Sequence, residues 1–312
     1  MTVKIRKSNS ALPIVKSIFV FFLFMLFSFL GSDTISAHTL NGFLFALKVI
    51  LPTVFPFMVF SDLASHCFSF EKSRILRSLF ERSFKINGVG ISALSSGIIG
   101  GFPIGAKNAL SLYNNGKISK CECERLMCFS NIPSAAYVIS AVGTGIMSNF
   151  KMGLILYFAV ITSAVICAVI IGKNKTYINF TDYNSEQNYN FVKSLKSATA
   201  SSLNVIFFIS FFSGVCGFIK TLPIPNTLKC LFITVTEVGG ATLYISECCI
   251  FPRKISVALI AFALSFSGFS VIMQSLASDT KNEISVIKCI FYKLLQGIIS
   301  FIIILLLPLT YK

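Results

Sequence analysis

Gly100-Gly-Phe-Pro-Ile-Gly-Ala-Lys-Asn108 cuts through an otherwise apolar run and leads into a polar segment. Three glycines and a proline within seven residues cannot sustain a helix. In hydrocarbon each freed N–H or C=O costs several kcal/mol, so such a break persists only inside protein or beside a cavity. Lys107 stands beside it, and Thr236-Glu-Val-Gly-Gly240 repeats the theme further along the chain. Two glycine-interrupted apolar segments in separate halves are the sequence sign of a transporter site built from discontinuous helices.

The rest of the chain fits that setting. Of 312 residues, 54% are hydrophobic and 12% charged, with mean hydropathy +0.80. A soluble domain carries about twice that charged fraction, so the class is an all-α polytopic membrane protein embedded in a lipid bilayer. The net charge of +15 reflects Lys and Arg gathered in cytoplasmic loops rather than a nucleic-acid partner. With the N-terminus inside, most of the 27 basic residues fall on the cytoplasmic side, Lys293 among them. The ten cysteines form no C-x-x-C pair, and the Cys121, Cys123, Cys128 group has no histidine near it. No metal site or structural disulfide is expected from that pattern.

Four segments follow. Residues 1–39 hold an uncleaved anchor helix, Pro13 to Gly31, and a polar turn, Ser32 to Thr39. Residues 40–172 form a first half: Leu40 to Leu63 kinked at Pro52 and Pro56, an amphipathic Glu71 to Lys85 on the interface, a re-entrant hairpin over 87–115, a span broken at Asn131 to Ser134, and a plain helix, Lys151 to Gly172. Residues 173–197 are a cytoplasmic linker. Residues 198–312 form a second half with a hairpin over 227–250, a span broken near Ser265 to Ser270, and a last helix, Val286 to Leu309. Each half reads hairpin, broken helix, spanning helix, which predicts an inverted repeat.

The candidate site residues sit at the breaks. Gly101, Phe102, Pro103, Gly105, Lys107 and Asn108 belong to the first tip, and Asn131 and Ser134 to the first broken helix. Ser267 and Gln274 belong to the second broken helix. Lys107 is the expected anion ligand, aided by the N-terminus of the half-helix after Pro103. Glu237, with Gly239 and Gly240, is the expected coupling group, pairing with Lys107 or responding to H+ or Na+. No Ser-His-Asp set, P-loop or H-E-x-x-H is present, so no catalytic residue, enzyme activity, metal or organic cofactor is expected.

Leu51-Pro-Thr-Val-Phe-Pro-Phe-Met58, Gly101-Phe-Pro-Ile-Gly-Ala-Lys107, Glu124 to Asn131, Thr236 to Gly240 and Ser265 to Gln274 together resemble the YlbJ (SpoVV) family of sporulation integral membrane proteins. The likeness runs from about Leu40 to Leu309. It implies a nucleoside-recognition (gate) fold like that of concentrative nucleoside transporters. It also implies passage of dipicolinic acid, a small anionic aromatic dicarboxylate, across the outer forespore membrane. Lys107 and two half-helix N-termini would then neutralise the carboxylates, with Phe102 or Phe269 stacked on the ring. Two other readings stay open. One is a carrier of nucleosides or another small solute, leaning on Asn131, Glu237 and Gln274. The other is a non-transporting scaffold of the spore envelope, in which the hairpins serve assembly; a homo-oligomer or sporulation membrane partners are compatible with each reading.

Overall fold

The computed structural model describes residues 32–67, 73–173, 175–177, 191–248, 250–279, 281 and 283–308. The expected anchor helix Pro13 to Gly31 and most of the linker lie outside these residues. All regular structure among the described residues is helical.

α1 (Ser32–Phe45) runs through a π-helical stretch (Ala46–Ile50) into α2 (Leu51–Cys67). Pro52 has no N–H and its ring would crowd the carbonyl four residues back. The chain takes a wide turn just upstream, and Thr53 Oγ1 donates to Val49 O at 2.7 Å and Ile50 O at 3.0 Å. The polar residues Ser32 to Thr39, expected as a turn, are helical. Ser, Asp and Thr suit a helix N-terminus. The partner helix α8 (Phe191–Thr221) also offers a small-residue face, with Gly214 against Thr39 and Gly217 against His38. Such close backbone approach favours packing over the local turn preference.

α3 (Arg74–Phe84) is amphipathic. Phe80 faces the core while Ile75, 74% exposed, and Leu79 point outward. Its last carbonyls, Phe84 O and Lys85 O, accept from the Arg125 guanidinium at 3.3 and 2.8 Å.

Two short helices, α4 (Ile91–Gly100) and α5 (Ile104–Asn114), pack on each other and on α2. α6 (Lys120–Ser130) ends at an irregular stretch, residues 131–134, before a π-helix (Ala136–Ile146); α7 (Phe150–Gly172) follows. α8 begins at Phe191, earlier than the expected Ala198. Its first turns bury Ser194 and Ala198, so packing extends the helix into the polar segment. A second short pair, α9 (Asn226–Thr236) and α10 (Val238–Cys248), precedes α11 (Arg253–Phe266), α12 (Gly268–Leu276) and α13 (Val286–Leu306).

Among the described residues, five helical stretches are long and apolar enough to cross a membrane: Asp33–Leu63, Phe150–Gly172, Phe191–Thr221, Arg253–Leu276 and Val286–Leu306. Arg253–Leu276 is the most enclosed of these, and α13 and α7 wrap it. Large apolar side chains point outward along the peripheral helices, including Phe158, Phe207, Phe211, Ile287 and Phe291. In water such a surface would aggregate; in lipid it is the solvated face.

Candidate functional site: a cavity between two helix tips and two helix breaks

Gly101, at the turn between α4 and α5, has φ +72°, a region only glycine enters cheaply. A Cβ there would also stand 2.6 Å from Ser134 N, so the turn lies against the break in the neighbouring helix. Gly97 and Gly105, one on each arm, press on one atom: an added Cβ would meet Ser130 O at 1.9 and 2.0 Å respectively. The end of α6 is therefore clasped between the two arms. Ser61 Oγ donates to Ser96 O at 2.8 Å and Asn108 Nδ2 to Ser96 Oγ at 2.7 Å, which ties the arms to α2 and to each other.

The second tip is one residue long. Glu237 is extended, at φ −147° and ψ 128°, and 1% exposed. Its carboxylate folds back on the start of its own helix: Oε1 accepts from Gly239 N at 2.8 Å and Oε2 from Gly240 N. These are free donors of the first turn of α10, where the helix dipole favours negative charge. Gly268, at φ +67°, lets the second break approach this tip, where a Cβ would stand 3.1 Å from Thr236 O and 3.2 Å from Glu237 Cα. Ser267 supplies the preceding left-handed residue at φ +75°. Each tip thus packs on the interruption of a neighbouring helix.

A cavity with an empty volume of about 490 Å³, counted to its open mouth, lies between these parts. Phe102 reaches it from the first tip, Ser134 and Tyr137 from the first break, and Glu237, Val238 and Gly239 from the second tip. Val271 and Gln274 come from α12, and Phe45, Ile50, Val54, Met58, Val205 and Ile209 complete the wall. Gln274 is 2% exposed and its Nε2 has no partner among the described residues. A buried amide N–H without a partner, on a residue that lines a cavity, is a donor that a ligand or water can satisfy.

A second, wider space of about 610 Å³ adjoins the tip of α10, lined by His38, Asn41, Lys220, Tyr244 and Glu247 among others. Phe45 and Glu237 line both spaces, so they form the partition between them.

Of the residues expected at the site, Phe102, Ser134, Gln274, Glu237 and Gly239 border the inner cavity; Gly240 borders the outer one. Gly101, Pro103, Gly105 and Ser267 shape the turns behind it. Asn108 braces the hairpin, and Asn131 Nδ2 donates to Ser275 Oγ at 2.7 Å, away from the wall.

Lys107 also lies off the cavity wall. Its Nζ donates to Ser197 Oγ at 2.6 Å and Ser201 Oγ at 3.3 Å on α8, with Asp62 close enough to act on its charge. Ser197 Oγ in turn donates to Asp62 Oδ1 at 3.3 Å. Lys107 and Glu237 therefore satisfy their charges separately, one on α8 and Asp62, the other on backbone N–H groups. Phe269 does not border the cavity and instead stands edge-on to Phe266, centroids 5.8 Å apart.

Three contributors escaped the sequence reading. Phe45 and Tyr137 look like ordinary apolar-face residues in sequence. Lys293, counted with the cytoplasmic charges, is 2% exposed inside α13. Its place between Tyr292 and Leu294, with Gln296 one turn on, was the available signal.

These features define a multi-pass, all-helical integral membrane protein with a partly enclosed cavity at the meeting of its interrupted helices. Over 110 residues the chain is 32% identical to the sporulation integral membrane protein YlbJ of Bacillus subtilis (strain 168). That similarity covers 35% of this chain and 27% of the length of that relative. No family model matches the chain. No solved structure matches it.

Proposed function

We propose that this protein is a small-solute transporter of a sporulation membrane that holds its solute between the two helix tips. One observation carries the reading: residues from both tips and from the helices at both breaks line a single cavity, among them Gln274, whose buried Nε2 has no partner among the described residues. The order of elements supports it. Hairpin, interrupted helix and plain helix occur twice, before and after α8. That is the pattern of an inverted repeat over 40–172 and 198–312, as in concentrative nucleoside transporter gate domains. The short similarity to YlbJ supports the sporulation setting. The charge distribution supports a cytoplasmic N-terminus, and the family resemblance supports the outer forespore membrane. The reading assigns no catalytic residue.

The solute is a small planar aromatic compound. Phe102 and Tyr137 offer ring faces, and Gln274 and Ser134 offer polar contacts. Dipicolinic acid is the candidate that the resemblance brings. Lys107, on α5 with its ammonium held by serines of α8, lies off the cavity wall and is not assigned to it. The N–H groups of Gly239 and Gly240 would hold dipicolinate if a substrate carboxylate replaced the Glu237 side chain now resting on them. Glu237 would then swing toward the outer space, opening the partition it shares with Phe45 and linking substrate entry to gating. Protonation of the displaced carboxyl would be one route to H+ coupling.

A second reading has its own support. Among the described residues no Lys or Arg borders the inner cavity, while Glu237 and Gln274 do. A neutral nucleoside suits that wall without displacing a carboxylate.

Uptake of labelled dipicolinate into proteoliposomes, with unlabelled nucleosides as competitors, separates the cases. Saturable uptake indifferent to nucleosides establishes the anion reading. Nucleoside uptake, or inhibition by nucleosides, transfers the site to neutral solutes. Absence of uptake of either by reconstituted, folded protein removes the transporter reading and leaves the scaffold.

A further inference from the structure

We infer that Lys293 is a tethered cation, its ammonium filling a monovalent-cation site at the open C-terminal end of α6. Where α6 stops at Ser130, its last carbonyls lose their helical donors and carry the negative end of the helix dipole. In discontinuous membrane helices such ends are places where a mobile Na+ is held. Here the ammonium is supplied from α13. Lys293 Nζ donates to Asn131 O at 2.8 Å, Gln296 Oε1 at 2.9 Å and Cys128 O at 3.2 Å. Three oxygens meet three N–H groups, which is the full donor capacity of an ammonium. None of the three is a carboxylate, so the positive charge answers the helix end and an amide rather than an acid.

The surroundings suit an ion. A small cavity of about 10 Å³ adjoins the ammonium, bordered by Met127, Asn131, Ser275 and Cys289. Asn131 carries a further buried oxygen, Oδ1, with no partner among the described residues. Without the lysine side chain, Cys128 O, Asn131 O and Gln296 Oε1 are left as neutral oxygen donors. Such a set suits a small monovalent cation, which carbonyl-type oxygens hold in place of its water shell. The inference stands on the end of α6 alone and holds whether or not the adjacent cavity carries a solute.

The test is thermal unfolding of the full-length protein in detergent, comparing sodium, methylammonium and choline chlorides at equal ionic strength. The native protein should unfold at the same temperature in all three. K293A in choline should unfold roughly 5 °C or more lower, and sodium or methylammonium should restore most of that loss saturably. Loss without cation-selective recovery would overturn the inference, as would K293A unfolding at the native temperature in choline. K293M, which fills the space without charge, serves if K293A does not accumulate. It should stay destabilised in every salt, and a native-like K293M would refute the role of the charge. A saturable sodium-specific rise in the native protein, lost on N131A substitution, would show the site open beside the lysine and also overturn it.

Discussion

The clasp of the first hairpin around α6 gives the sharpest quantitative expectation. Gly97 and Gly105 approach Ser130 O from opposite arms, and a Cβ at either would stand 1.9 or 2.0 Å from that oxygen. Non-bonded carbon–oxygen contact requires roughly 1 Å more, and packed interiors rarely yield that much. The obstacle is backbone, so no rotamer change relieves it. G97A or G105A must push α6 off the hairpin, opening space at the Gly101–Ser134 contact as well. Overpacking of this kind costs about 1–3 kcal/mol, and a rigid backbone obstacle places both variants at or beyond the upper end. Helix propensity gives back only about 1 kcal/mol in each arm. The assay is unfolding in detergent, with G145A as the control, since a Cβ there meets Ser140 O at an ordinary 3.4 Å. G145A should be neutral or slightly stabilising. Because both glycines face one atom, G97A/G105A should cost less than the two single changes added together. Native-like unfolding of G105A, or strict additivity of the pair, would refute the clasp.

Four further outcomes follow from the structure. E237Q should destabilise the second tip by about 1–2 kcal/mol, since an amide has one oxygen for the two N–H groups that the carboxylate now serves. If substrate carboxylate replaces the Glu237 side chain, E237A should also lower the half-saturation concentration for dipicolinate, measured by uptake; an unchanged value would count against displacement. K107A should weaken the tie between α5 and α8 by about 1–3 kcal/mol and leave nucleoside competition unaltered. A large loss of solute affinity with unchanged unfolding would return Lys107 to the binding site. E122A should lower stability by about 2 kcal/mol, because Glu122 completes the capping box with Ser119 and accepts from Asn87 N at 2.8 Å.

The helix breaks were legible in the chain because their causes are local. Gly101 and Gly268 occupy left-handed backbone, Pro52 removes a donor, and Glu237 precedes two glycines whose N–H groups it can reach. Hydropathy read over about 20 residues likewise marks the spans, because bilayer thickness sets their length. Which side chains meet is a different kind of fact. Lys107 and Glu237 look in sequence like a pair across two tips, yet each finds nearer partners: serines of α8 beside Asp62, and the N-terminus of α10. Lys293 lies 162 residues from the carbonyl of Asn131 that it holds. Composition reads it as one more loop lysine, and only the docking of α13 against α6 turns it inward. Local backbone chemistry therefore settled where this chain breaks. Long-range packing, which no short window of sequence contains, decided which charges answer one another and which residues border the cavity.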